Sequence, residues 1–179
     1  MKNAFRCALV VVSLALGGVS CAQTKPAGAA SAPVRAEYDK ETGRLTRLES
    51  DRNGDGKPDT WGYMDGARLV RLEVDENGNG TVDYWEYYDR SSPPVLERIE
   101  RSTRHDGRVS RWEHFERGQL VRVEEDTSGQ GKVDKWERYA NGTLVSLALD
   151  TEHKGRPDRT LIYRPDGSLD HIESRSGGP

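Results

Sequence analysis

The sequence predicts an all-β fold: an antiparallel meander of repeated hairpin units, each about 24 residues long, forming one wide twisted or curled sheet. Three observations carry this prediction. The run Asp51-Arg52-Asn53-Gly54-Asp55-Gly56-Lys57-Pro58-Asp59-Thr60-Trp61 returns 24 residues later as Asp75-Glu76-Asn77-Gly78-Asn79-Gly80-Thr81-Val82-Asp83-Tyr84-Trp85, and weaker copies end at Trp112, Trp136 and Thr160 after steps of 27, 24 and 24. Between the copies, short β-favouring stretches flank tight-turn dipeptides. No stretch of useful length carries helical spacing.

In chain order, residues 1–20 read as a secretory signal, with Lys2 and Arg6 ahead of an apolar run, Ala8 to Leu16, too short to span a membrane. Residues 21–34, rich in Ala and Pro, read as a flexible linker, residues 35–173 as the repeat domain and 174–179 as a disordered tail. The domain opens with a half unit, where Tyr38-Asp39 and Thr42-Gly43 turn the chain into the alternating strand Leu45-Thr46-Arg47-Leu48-Glu49. Each later unit has an Asp/Asn/Gly loop, then an aromatic strand such as Val82 to Tyr88. A turn follows at Asp65-Gly66, Arg117-Gly118, Asn141-Gly142 or Asp166-Gly167, then an alternating strand such as Leu69-Val70-Arg71-Leu72-Glu73. Asp-Gly and Asn-Gly suit tight hairpins because both residues accept positive φ. The step of 27 comes from Arg90-Ser91-Ser92-Pro93-Pro94, inserted where the preceding unit has only Asp65-Gly66. Turns of a meander alternate between its ends, so every Asp/Asn/Gly loop is expected on one rim.

Hydrophobic residues make up 34% of the chain and charged residues 32%, too little apolar material for a deep two-layer core. Stability is therefore expected from neighbouring repeats packing in series. The net charge is −3, and loss of Lys2 and Arg6 with the signal leaves about −5, which argues against nucleic acid as a partner. Arg47, Arg71, Arg98 and Arg122 each have a glutamate two residues on and read as cross-strand charge ladders.

The segment Leu16-Gly17-Gly18-Val19-Ser20-Cys21 resembles the lipobox of bacterial lipoproteins, with Gly18 where leucine is favoured. That resemblance implies acylation of Cys21 as the mature N-terminus and anchoring to a membrane of the bacterial cell envelope. Ala22 after the cysteine implies the outer membrane. Loss of Cys7 with the signal leaves Cys21 without an intramolecular disulfide partner, in keeping with acylation.

The loops carry the candidate chemistry. Asp75, Asn77, Asn79, Thr81 (through its carbonyl), Asp83 and Glu86 offer oxygens at alternating positions around Gly80, as a hard cation requires, and Asp51, Asn53, Asp55 and Asp59 repeat the series with Gly62 where Glu86 stands. These residues resemble the twelve-position EF-hand loop and the aspartate-rich loops of thrombospondin type 3 arrays, which implies calcium as the cofactor, although strands rather than helices flank them. Asp126, Ser128, Gln130, Asp134 and Glu137 keep the pattern with weaker ligands, whereas Arg104 and Lys154 put cations at ligand positions. Tight β-connections also favour Asp, Asn and Gly without any metal.

Trp61, Trp85, Trp112 and Trp136 recur in register and read as a shared hydrophobic spine or, if exposed, as a platform for sugar rings. The four histidines show no paired metal-ligand spacing, and no serine or cysteine nucleophile stands beside a base, so an enzyme is not expected. The units, for instance Trp61-Gly62-Tyr63-Met64-Asp65-Gly66-Ala67-Arg68-Leu69, are also similar to bacterial MORN-variant and YD-type hairpin repeats. That similarity implies a structural or protein-interaction module, with an envelope protein or glycan as partner.

Overall fold

The computed structural model describes residues 34–175. The expected signal, the expected acylation site Cys21, nearly all of the expected linker and residues 176–179 of the expected tail lie outside them.

The described chain is an all-β meander of twelve antiparallel strands: β1 (Arg35–Tyr38), β2 (Leu45–Ser50), β3 (Thr60–Asp65), β4 (Arg68–Val74), β5 (Tyr84–Tyr88), β6 (Leu96–Arg101), β7 (Arg111–Glu116), β8 (Gln119–Glu125), β9 (Lys135–Ala140), β10 (Thr143–Leu149), β11 (Arg159–Tyr163) and β12 (Leu169–Ser174). Spatial order equals sequence order, and the sheet is open, with β1 and β12 as its two edges. The Asp/Asn/Gly loops share one rim and the short turns the other. Where the turns need left-handed backbone, Gly66 (φ 65°) and the pairs Arg117 and Gly118 (51°, 75°) and Asn141 and Gly142 (50°, 77°) supply it.

Register explains what lies on each face. Across β2 to β9 one row reads Glu49, Trp61, Glu73, Trp85, Glu100, Trp112, Glu124, Trp136. The adjacent row reads Arg47, Tyr63, Arg71, Tyr87, Arg98, His114, Arg122, Arg138. These four arginines pair along their own strands, Arg47 to Glu49 (2.7 Å), Arg71 to Glu73 (3.1 Å), Arg98 to Glu100 (3.1 Å) and Arg122 to Glu124 (3.6 Å). Arg47 also reaches Glu37 on β1 at 3.9 Å, and other pairs cross strands, such as Arg111 to Glu125 at 3.0 Å. Across strands the guanidiniums stack on aromatic rings, Arg71 over Tyr63 at 4.2 Å and Arg98 over Tyr87 at 4.3 Å. The four tryptophans are half-buried within this face.

The opposite face carries Leu48, Leu72, Ile99, Val123, Leu147 and Leu161 in one row, with Gly62, Glu86, Glu113 and Glu137 between them. With one layer, these side chains pack only sideways, and Val74, Ile99 and Val123 are the buried hydrophobic residues among those described. The buried polar set is larger and sits mostly at the loop rim: Asp59, Asp75, Asp83, Ser102, Ser110, Asp126, Asp134 and Asp150.

Candidate functional site

Four of the five rim loops, those opening at Asp51, Asp75, Asp126 and Asp150, are built around two aspartates that backbone amides cap. In the loop between β4 and β5, Asp75 Oδ1 accepts from the N–H of Gly78 (2.8 Å) and Asn79 (3.2 Å), and Oδ2 accepts from Gly80 (2.7 Å). Asp51 accepts from Gly54 (2.6 Å) and Gly56 (2.8 Å), and Asp126 accepts from Gly129 (2.7 Å), Gln130 (3.2 Å) and Gly131 (2.8 Å). The glycines at these positions adopt positive φ, which turns successive N–H groups onto one carboxylate. The closing aspartates reverse the arrangement: Asp59 accepts from Arg52 (3.0 Å) and Asn53 (3.1 Å), and Asp83 from Glu76 (3.0 Å). Burial opposes ionisation of Asp126, but the amide bonds from Gly131 and Gly129 outweigh it and hold the carboxyl below its ordinary value.

The middle positions fold back on the loop. Asn53 Oδ1 accepts from Asp55 N–H, Asp55 Oδ1 from Lys57, Asn77 Oδ1 from Asn79, and Asn79 Oδ1 from Thr81. Each of these four oxygens takes one N–H, which leaves a second lone pair for a cation, whereas Asp75 Oδ1 already accepts two. The donors are all oxygen, as calcium prefers. Loop 75–83 holds three acids and no basic side chain, whereas loop 51–59 sets Arg52 and Lys57 against its three aspartates. A polar cleft between the two loops brings Arg52, Asn53 and Asp59 together with Asp75, Glu76 and Asn77.

Glu86 stands apart from this group. It lies within β5, opposite Leu72 and Ile99, and its two oxygens accept from the hydroxyls of Tyr84 and Tyr88. Burial and the bonds to Glu86 push both tyrosines up.

The loop between β6 and β7, degenerate as a ligand set, is bonded to the loops on either side of it. Ser102 and Ser110 replace the paired aspartates, and Ser110 Oγ accepts from Thr103 N–H at 3.1 Å. His105 Nδ1 lies 2.7 Å from Asp83 Oδ2, a contact that raises the imidazole pKa. Asn79 Nδ2 donates to the His105 carbonyl at 3.0 Å, and Arg104 donates to the carbonyls of Asp126 and Thr127, both at 3.2 Å. Ligand atoms of Glu76, Asp83 and His105 fall within 4.8 Å of one another. Histidine spacing along the sequence does not reveal this cluster. The signal that could have found it is that His105 takes the place of Gly78 in the preceding copy and keeps its positive φ (54° against 72°), a costly slot for a side chain.

No family model and no curated protein matches the chain. Among solved structures, it is similar to "accessory secretory protein 1,2 and 3 in Streptococcus pneumoniae", with a TM-score of 0.38 and 14% identity, over 67% of this chain and 19% of that one. At that level neither fold nor function transfers.

Proposed function

We propose that the chain is an exported β-repeat protein, anchored through acylated Cys21 in the outer membrane of a bacterial cell envelope. It serves as a structural or protein-interaction scaffold with calcium-binding rim loops and is not an enzyme. The observation that carries the scaffold reading is the single-layer sheet, whose two wide faces present side chains in regular rows. Such faces offer extended contact to a macromolecule, not the enclosed concavity that small-substrate chemistry uses. In loop 75–83, Asp75, Asn77, Asn79, Asp83 and the Thr81 carbonyl would hold the ion, with Asp51, Asn53, Asp55 and Asp59 as the second set. Calcium would neutralise the crowded carboxylates, with a dissociation constant of about 10⁻⁴ to 10⁻³ M.

Calorimetric and thermal titration of the full-length protein with calcium tests this. Heat and a raised melting temperature that both vanish in Asp75→Ala support the reading. Saturation at 100 times the dissociation constant adds about 2.7 kcal/mol, well resolved in a melt. Absence of heat and of any shift at several millimolar calcium rejects it.

A second reading, a cell-envelope glycan-binding protein, draws support from Trp61, Trp85, Trp112 and Trp136 sharing one half-exposed row. Quenching of tryptophan fluorescence by soluble envelope polysaccharide, lost in Trp85→Ala, is its expected signature. Unchanged fluorescence leaves the row as a packing spine.

A further inference from the structure

The two edge strands carry the main apolar exposure of the described chain. Of its exposed large hydrophobic side chains, Val34 (61%), Tyr38 (61%), Leu169 (43%) and Ile172 (52%) lie on or beside β1 and β12, and Val70 (38%) is the exception. Edges also present unpaired backbone donors, and native proteins blunt or cover them.

We propose that a second copy of this chain covers these edges: β1 of one molecule adds to β12 of the next, so that the meander continues from copy to copy.

Backbone phase permits this pairing. Asp39 N–H donates to Arg44 and Arg175 N–H to Asp158, both at 2.8 Å, which turns the N–H groups of residues 35, 37, 171 and 173 toward the neighbouring strands β2 and β11. By strand alternation, Ala36 and Tyr38 on one edge and Ile172 and Ser174 on the other point theirs outward, the bulge at Asp170 ending the alternation on β12. An antiparallel ladder then places Ile172 opposite Ala36, just as Leu48 lies opposite Gly62 where β2 meets β3.

Side-chain charge selects the register. With Ile172 opposite Ala36, Glu173 falls beside Arg35 and His171 beside Glu37. Glu173 is the end of the tryptophan row through Thr160, and Arg35 is its start through Glu49, so both rows pass unbroken into the next molecule. Sliding two residues one way opposes Glu173 to Glu37 and Arg175 to Arg35; sliding the other way opposes His171 to Arg35. A symmetric contact of β12 with β12 would leave Val34 and Tyr38 exposed, whereas head-to-tail addition covers both edges with one kind of contact. Such addition is heterologous and does not stop at two copies unless twist closes a ring.

Sedimentation velocity of the full-length protein over a concentration series tests the proposal. The weight-average mass is expected to rise past that of a dimer. Ile172→Pro, which removes an outward donor and no bond to β11, holds the protein monomeric. Glu173→Arg or Arg35→Glu alone weakens association about five- to tenfold, and the two together restore it. A mass that stays monomeric throughout, that stops at a dimer, or that ignores the paired charge reversal overturns the proposal. The charge variants sit on exposed positions and keep the test decisive if the proline variant fails to fold.

Discussion

Replacing Asp126 with asparagine tests whether the rim loops are held by amide-capped carboxylates. Its Oδ1 accepts from Gly129, Gln130 and the Ser128 hydroxyl (2.7, 3.2 and 3.1 Å), and its Oδ2 from Gly131 at 2.8 Å. A carboxamide in that place can keep an oxygen toward the first group only by aiming its NH₂ at Gly131 N–H. A bond to a charged acceptor, about 1.5–3 kcal/mol, is lost, and the remaining bonds lose their charge assistance. The expected cost is about 2–3 kcal/mol, a fall in melting temperature of about 5–10 °C for a domain of this size. The assay is thermal unfolding by circular dichroism with a chelator present, at neutral pH and in acid. The folded carboxyl titrates below the ordinary aspartate value of 3.8, so its stabilisation is fully present above 3.8 and drains away as pH falls below it. The gap between wild type and Asp126→Asn should therefore hold at neutral pH and close in strong acid. A gap under about 0.5 kcal/mol at neutral pH, within ordinary surface-mutation scatter, or one independent of pH, would refute the reasoning.

His153, at φ 53°, occupies the slot that Gly129 fills in the preceding copy, so His153→Gly is expected to stabilise the protein by about 1 kcal/mol in chemical denaturation. Arg117→Gly, in the turn between β7 and β8 at φ 51°, should do the same on the opposite rim. Arg104→Ala removes the donor to Asp126 and Thr127, and hydrogen exchange should quicken across 126–134 while β1 to β4 stay unchanged. Val123, 1% exposed, is the least exposed apolar residue among those described, and Val123→Ala should cost about 2 kcal/mol in the same denaturation assay.

Much of the local chemistry was legible from the chain. The return of Asp51 to Trp61 as Asp75 to Trp85 announced a repeat, and Asn141-Gly142 announced a tight turn, because each depends on backbone preferences a few residues long. A single strand direction per turn then dictated sequential pairing, with all the Asp/Asn/Gly loops on one rim. The alternation in Leu69 to Glu73 likewise assigned Arg71 and Glu73 to one face.

What register puts side by side could not be read from one strand. Arg71 lies between Tyr63 and Tyr87 rather than beside a carboxylate on another strand, because aromatic and charged strands alternate through the sheet. Glu86 fits the ligand spacing of the loop, yet β5 begins at Tyr84 and turns the carboxylate to two tyrosine hydroxyls. His105 meets Asp83 from 22 residues away, a contact that exists only because two rim loops sit side by side. Sequence alone determined the repeat, the turns and the rim, since these are set by local conformational preference. Tertiary structure decided the partners of Glu86, His105 and the arginines, since strand pairing, not sequence distance, determines which side chains can touch.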